Sequence, residues 1–197
     1  MPYRNYCGID YGSKLAGTTV IAQYYEGEVL LRASAERQDA DAFIMDFVDA
    51  ERPDFIALDA PLSLPGRLVG LPDCDSYFYR KVDTIVKGMS PMFIGGLTAR
   101  AMQLRDRIGE EYGIPCYETY PALWARAWQL KPLGYKQQRE QLAAVIEEVA
   151  RRVAFRMPAS IPTWHHLDAL LALHSAWRIA HLQHELIGDK REGAVWH

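Results

Sequence analysis

The sequence predicts an α/β fold: a five-stranded mixed sheet, with a three-strand antiparallel meander plus parallel strands, flanked by helices and carrying an insertion after strand four. Three observations predict it. Three runs rich in apolar and β-branched residues follow one another within the first 34 residues, separated by Gly-containing turns. A helical run and a fourth apolar run come next, the strand–helix–strand order that sets two strands parallel. After residue 95 the apolar residues recur at helical spacing, broken once by a short strand-like run.

Residues 4–11 read as a buried strand ending near Asp10. Residues 17–24, "GTTVIAQY", form the second strand, Glu26–Gly27 the turn, and 28–34, "EVLLRAS", the third. In residues 38–51, Phe43, Ile44, Phe47 and Val48 repeat at helical spacing, and Pro53 ends that helix. "DFIALDAPL" is the fourth strand and carries Asp59. Residues 61–95 are rich in Gly and Pro and form the insertion, with a short helix near 75–85. Residues 97–112 are an amphipathic helix, and "GIPCYETYP" is a short fifth strand ending near Glu118, stopped by Pro121. Residues 134–156 read as a long helix with Glu and Arg outward, and 163–186 as the last helix, capped by Thr163 or Ser160.

A length of 197 residues and 49% hydrophobic content suffice for one core, so a single domain over residues 1–197 with the insertion inside it is the expectation. The polar start "MPYRNY" is no secretory segment, and no apolar run reaches the roughly 18 residues of a membrane span. Cys7, Cys74 and Cys116 are too scattered for a disulfide framework or a paired-cysteine zinc site. A cytoplasmic protein with no membrane partner is the expected class. The net charge of −3 excludes a basic nucleic-acid coat, though not a local binding patch.

Asp10 and Asp59 both stand at the carboxyl ends of strands, the edge where open α/β sheets place ligand sites, and Glu118 ends strand five. Each alone is an ordinary turn or cap residue. The helix containing "TWHHLDALLALHSAW" is apolar almost all round from Leu167 to Leu173, yet carries His165 and Asp168 three residues apart, on one face. An ionised Asp there is costly unless paired or metal-bound; the plain alternative is a first-turn position favoured by the helix dipole. Converging carboxylates suit a hard cation, Mg²⁺ or Mn²⁺, and two such ions can activate water for phosphodiester cleavage.

The motifs "GIDYG", "ALDAPLSLP", "YETYP" and "HHLDALLAL", in this order, resemble a domain-of-unknown-function family of ribonuclease H-fold nucleases. The last also resembles the terminal helix of RuvC-type Holliday junction resolvases. The resemblance runs from Tyr6 to about Trp177, apart from the middle of 61–95. It implies the ribonuclease H-like fold and a nuclease using two Mg²⁺ or Mn²⁺ ions. It makes Asp10 the first-strand Asp that bridges both ions, Asp59 the fourth-strand acid, and Asp168 with His165 the terminal-helix pair. Glu118 matches the family's own "ETYP" motif. No acid on the first helix stands in a diagnostic context, which favours the RuvC-like variant over ribonuclease H proper. A phosphate-binding turn at Asp10, as in actin-like ATPases and sugar kinases, needs a second Asp-x-Gly loop; here Asp59 is followed by Ala60 and Pro61, and proline has no N–H to offer a phosphate.

Arg100 and Arg105, on or near the 97–112 helix, and Arg80, Lys81 and Lys87, among Tyr77, Phe78 and Tyr79, read as a nucleic-acid-binding surface; a solvated helix face is the even alternative. Trp124 and Trp128 read as core, and His174, His181 and His184 as helix decoration. The partner expected is a nucleic-acid substrate, with a homodimer the one assembly entertained. An ATP-dependent phosphotransferase and a non-catalytic nucleic-acid-binding protein are the competing function classes.

Overall fold

The structure, a computed structural model, describes residues 3–197. Strands β1 (Asn5–Asp10), β2 (Val20–Tyr25) and β3 (Glu28–Ala33) form the antiparallel meander. Helix α1 (Ala40–Glu51) then crosses over to β4 (Phe55–Asp59), which pairs parallel with β1, and β5 (Cys116–Glu118) pairs parallel with β4. The strand order is β3-β2-β1-β4-β5. Helix α1 starts where the Asp39 carboxylate accepts the Asp41 and Ala42 N–H groups, and it stops at Arg52 in the left-handed region, followed by Pro53.

Alternation along the strands assigns each residue to a layer. Cys7 and Ile9 of β1 and Ile56 and Leu58 of β4 face α1 and α3 (Gly95–Tyr112), where they meet Ile44, Val48, Leu104 and Ile108. Tyr6, Phe55 and Ala57 face the other way, onto Leu170, Leu173 and Ala176 of α6 (Trp164–Ala180). Gly8 lies on that second face. A Cβ at Gly8 would stand 2.0 Å from the backbone nitrogen of Leu173, so only glycine lets α6 lie this close to β1. Helices α4 (Pro121–Ala127) and α5 (Leu142–Ala150) cover the outer side of α6, packing Trp124, Val145 and Val149 on Leu167 and Leu171.

Two helix expectations are corrected. Residues 134–156 are not one helix: Gly134 adopts φ 93°, a single 3₁₀ turn spans Arg139–Gln141, and only Leu142–Ala150 is α-helical. The last helix ends at Ala180, and the chain continues into a hairpin of β6 (Leu186–Asp189) and β7 (Gly193–Trp196). This hairpin packs Ile187 and Val195 on Val82 and Val86 of the short helix α2 (Lys81–Val86), and Trp196 meets Tyr117 of β5 at 4.6 Å.

Buried charge also holds the insertion, beside the apolar contacts of Val82 and Val86. Arg80 is 1% exposed; its guanidinium donates to Asp83 at 2.7 Å, to both oxygens of Glu118 at 2.6 and 2.7 Å, and to Ser63 Oγ at 2.7 Å. Burial opposes its charge, but the two carboxylates outweigh burial and its pKa is raised. Glu192, also buried, accepts the Gly66 and Lys81 N–H groups at 2.8 and 2.7 Å. Removing one partner of a buried ion pair strands the other charges. Arg80→Met is therefore expected to lower the unfolding free energy by about 3–5 kcal/mol, read from urea denaturation; a loss under about 1 kcal/mol would show that the triad does not anchor the insertion.

Candidate active site

Asp10 and Asp59 are register partners across the parallel β1–β4 ladder. Neighbouring strands lie about 4.8 Å apart, so the two carboxylates stand side by side at the carboxyl edge of the sheet. By alternation both point to the α6 face, as Gly8 and Ala57 do. Because α6 lies directly on β1, its first turns arrive over this pair. Thr163 caps the helix by accepting the His166 N–H, and the next turn delivers His165 and Asp168. His165 Nδ1 is 2.7 Å from Asp10 Oδ2. Asp168 is 0% exposed.

The electrostatics record how close these acids are. Burial raises the pKa of Asp59 well above the usual carboxylate range, and the charges of Asp10 and Asp168 raise it further. Burial also lifts Asp168, to about 6, against the opposing pull of Lys136. His165 is raised by its hydrogen bond to Asp10, a rise that partial burial limits.

Two residues of the site were not among the sequence candidates. Tyr135 donates its hydroxyl to Asp168 Oδ1, and the Lys136 ammonium contacts Asp168 Oδ2. Among the described residues the ammonium is the polar group that meets this buried second oxygen. Reading 134–156 as a helix hid both residues, because a helix starting at Gly134 would not turn consecutive side chains onto one carboxylate. The legible signal was Pro132 and Gly134, which punctuate the chain just before them.

Other candidates have different surroundings. Glu118 is the register partner of Leu58, which faces α1 and α3, so it points away from Asp10 and Asp59 by the same alternation. Its carboxylate is taken by Arg80 and by the Leu62 N–H at 2.8 Å, so in this structure it ties the insertion to the sheet. Arg80 is interior, which corrects its expected place on a nucleic-acid surface. Arg105 donates to the Leu62 carbonyl and pairs with Asp106, so its guanidinium too is largely committed. Arg100 pairs with Asp41 at 2.7 Å, reaches the Gly12 carbonyl at 3.3 Å and lies 4.8 Å over the Tyr11 ring, which fixes the turn that follows Asp10. Lys81 and Lys87 are exposed at the two ends of α2.

Among the described residues, no three His, Cys, Asp or Glu side chains are grouped so as to hold a metal ion, and Lys136 supplies the positive charge facing Asp168. The carboxylates of Asp10, Asp59 and Asp168 are donors of the kind a hard divalent cation takes; two of them have raised pKa values, and one buried oxygen is met, among the described residues, by an ammonium.

A family model described as "Protein of unknown function (DUF429)" matches residues 8–192. No curated protein matches the chain. Among solved structures, T. thermophilus RuvC in complex with Holliday junction substrate aligns over 99% of this chain and 100% of its own, with TM-score 0.50 and 12% identity. A second Thermus thermophilus RuvC structure aligns over 98% and 99%, with TM-score 0.44 and 14% identity. At such identity the likeness concerns the fold, which is the expected ribonuclease H-like one.

The coupling of Lys136 to Asp168 has a pH signature. In metal-free protein, Asp168 at about 6 keeps a proton that the unfolded chain, near an ordinary value of about 3.9, has released. Its contribution to stability is therefore complete below about pH 4 and is lost as pH rises to about 6. Lys136→Met removes the charge that restrains this pKa, so the loss should continue to higher pH. Urea midpoints of both proteins at pH 4, 5, 6 and 7 check this; parallel profiles would rule out Lys136 as the counterion.

Proposed function

We propose that this chain, which belongs to the family described as Protein of unknown function (DUF429), is a divalent-metal-dependent nuclease that hydrolyses nucleic-acid phosphodiester bonds. The observation that carries the reading is the register pairing of Asp10 with Asp59 under the α6 residues Asp168 and His165. An ion of opposite charge relieves such a cluster, since its members raise one another's pKa values. The fold likeness to a RuvC solved with Holliday junction substrate supports nucleic acid as the substrate class.

Asp10, Asp59 and Asp168 would hold Mg²⁺ or Mn²⁺, as two ions. When bound, such ions supply an activated water and stabilise the leaving oxygen. Tyr135 keeps Asp168 in one orientation through Oδ1. The Asp10 hydrogen bond fixes the His165 ring through Nδ1 and favours its protonated form, while Nε2 makes no hydrogen bond among the described residues. A proton held at Nε2 is thus available to a departing oxygen. Lys136 balances Asp168 in metal-free protein, and a bound cation would compete with it for that oxygen. Lys81 and Lys87, both exposed, remain as basic residues of the insertion that could track a phosphate backbone.

Two measurements test this. Cleavage of branched, single-stranded and hybrid nucleic acids should require Mg²⁺ or Mn²⁺, with Ca²⁺ supporting binding but little cleavage. Asp10→Asn should melt at or above the wild-type temperature in chelator, because it removes one of the repelling charges. It should lose cleavage and most of the stabilisation that Mn²⁺ at a hundred times its Kd gives the wild type, about 2.7 kcal/mol. Full Mn²⁺ stabilisation of Asp10→Asn would remove Asp10 from the metal site, and no cleavage by folded, metal-stabilised protein would overturn the nuclease reading.

A further inference from the structure

On the far side of Asp59 from Asp168 there is a second concavity, a half-open cavity of ≈160 Å³ between the end of the sheet and the insertion. Asp59 and Tyr11 line it from the sheet, Tyr120 from the start of α4, and Met89, Ile94 and Leu97 from the insertion and α3. Arg80, Asp83 and Glu118 also reach it, but their hydrogen bonds are spent on one another. The Tyr11 hydroxyl is likewise spent, on Asp41, and its ring, with Arg100 over it, contributes to the cavity wall. What remains is an apolar, partly aromatic wall with one acid at its sheet end.

This composition selects the occupant. A phosphate is disfavoured, since one arginine faces two carboxylates in the triad and Asp59 adds a third acid. An apolar cavity of about 150 Å³ holds a benzene-sized ring, so ≈160 Å³ takes one heterocyclic base without its sugar and phosphate. Outside the mouth, where Met89 is 59% exposed, the rings of Phe78 and Tyr79 stand 5.8 and 5.9 Å from that of Phe93, all three exposed. Exposed aromatic rings beside such a mouth offer stacking faces to neighbouring bases.

We propose that this cavity receives a single unstacked nucleobase from the strand whose phosphate lies at Asp10 and Asp59, so that the substrate class is single-stranded or locally unpaired nucleic acid; the inference rests on the nuclease reading above. A base stacked in an intact duplex cannot enter without being extruded. The cavity thus reads the absence of pairing, while the carboxylates act on the backbone beside it.

The test separates the cavity from the chemistry. The full chain, labelled at its methionine methyl groups and held in chelator, is titrated with each of the four deoxynucleoside 5′-monophosphates, and with deoxyribose 5-phosphate as control. The Met89 methyl resonance is expected to move with at least one nucleotide and not with the sugar phosphate. Met89→Trp narrows the mouth from an exposed position. It should weaken nucleotide binding about tenfold by calorimetry, while thermal stability and Mn²⁺-induced stabilisation stay unchanged. In a single-stranded substrate, removing the base at one position next to the cut should lower kcat/KM about tenfold. Nucleotide binding without any cleavage would keep the cavity and sink the nuclease. Cleavage that is indifferent to every abasic position, or a Met89 shift as large with the sugar phosphate as with nucleotides, or with neither, would overturn the base-binding proposal.

Discussion

The contact between Gly8 and the backbone of α6 is the constraint from which the candidate site follows. A helix usually stands off a sheet by the length of the side chains between them. Here there is no Cβ at the crossing, and the Leu173 nitrogen lies where one would be. The helix is pulled onto β1, and since Asp168 is five residues before Leu173, its carboxylate is brought down to the level of Asp10. Any larger residue at position 8 would lift α6 and separate those acids without touching either. The apolar faces of α6 complete the arrangement: Leu170 and Leu173 bind the sheet, while Leu167 and Leu171 bind α4 and α5. With no free side, the helix cannot roll to relieve the repulsion at its start.

That repulsion is balanced from within. Buried charges must be paired or their protonation states shift, and this chain uses both responses. Glu118 and Asp83 receive an arginine that is itself interior, so they serve as an internal tie between insertion and sheet. Among the described residues, Asp10, Asp59 and Asp168 receive as cationic partners a half-exposed lysine and a histidine, and two of the three have raised pKa values. The contrast separates two kinds of buried carboxylate: those bound by the planar fork of a guanidinium, and those left to a single ammonium or imidazole.

Much of the fold was legible because local signals agreed with it. Gly27 and the β-branched runs marked the meander, Pro53 closed α1, and Thr163 capped α6. The side-by-side placement of Asp10 and Asp59 was legible as two acids at strand ends in a βαβ unit. Glu118 shared that signal but not its meaning, since a three-residue strand shows too little alternation to reveal which face its last residue takes. Arg80 looked like a surface residue because it follows Tyr77, Phe78 and Tyr79, which are exposed; its bonds to Asp83 and to Glu118, 38 residues away, draw it inside. Lys136 was lost to a helical pattern that begins further on, at Leu142. The closing hairpin was overlooked although Asp189 and Gly193 bracket a turn between Leu186–Ile187 and Val195–Trp196.

That hairpin also sets a schedule. Glu192 grips backbone N–H groups of the insertion 126 and 111 residues earlier in the chain. Contacts of such span form late, because the intervening chain must first be ordered. During synthesis β1 to β5 and the helices can emerge and dock while the segment around Gly66 and Lys81 still lacks its clamp. The wall of the cavity beside Asp59 therefore waits for Glu192 to dock, whereas the pairing that sets Asp10 beside Asp59 needs nothing from the hairpin.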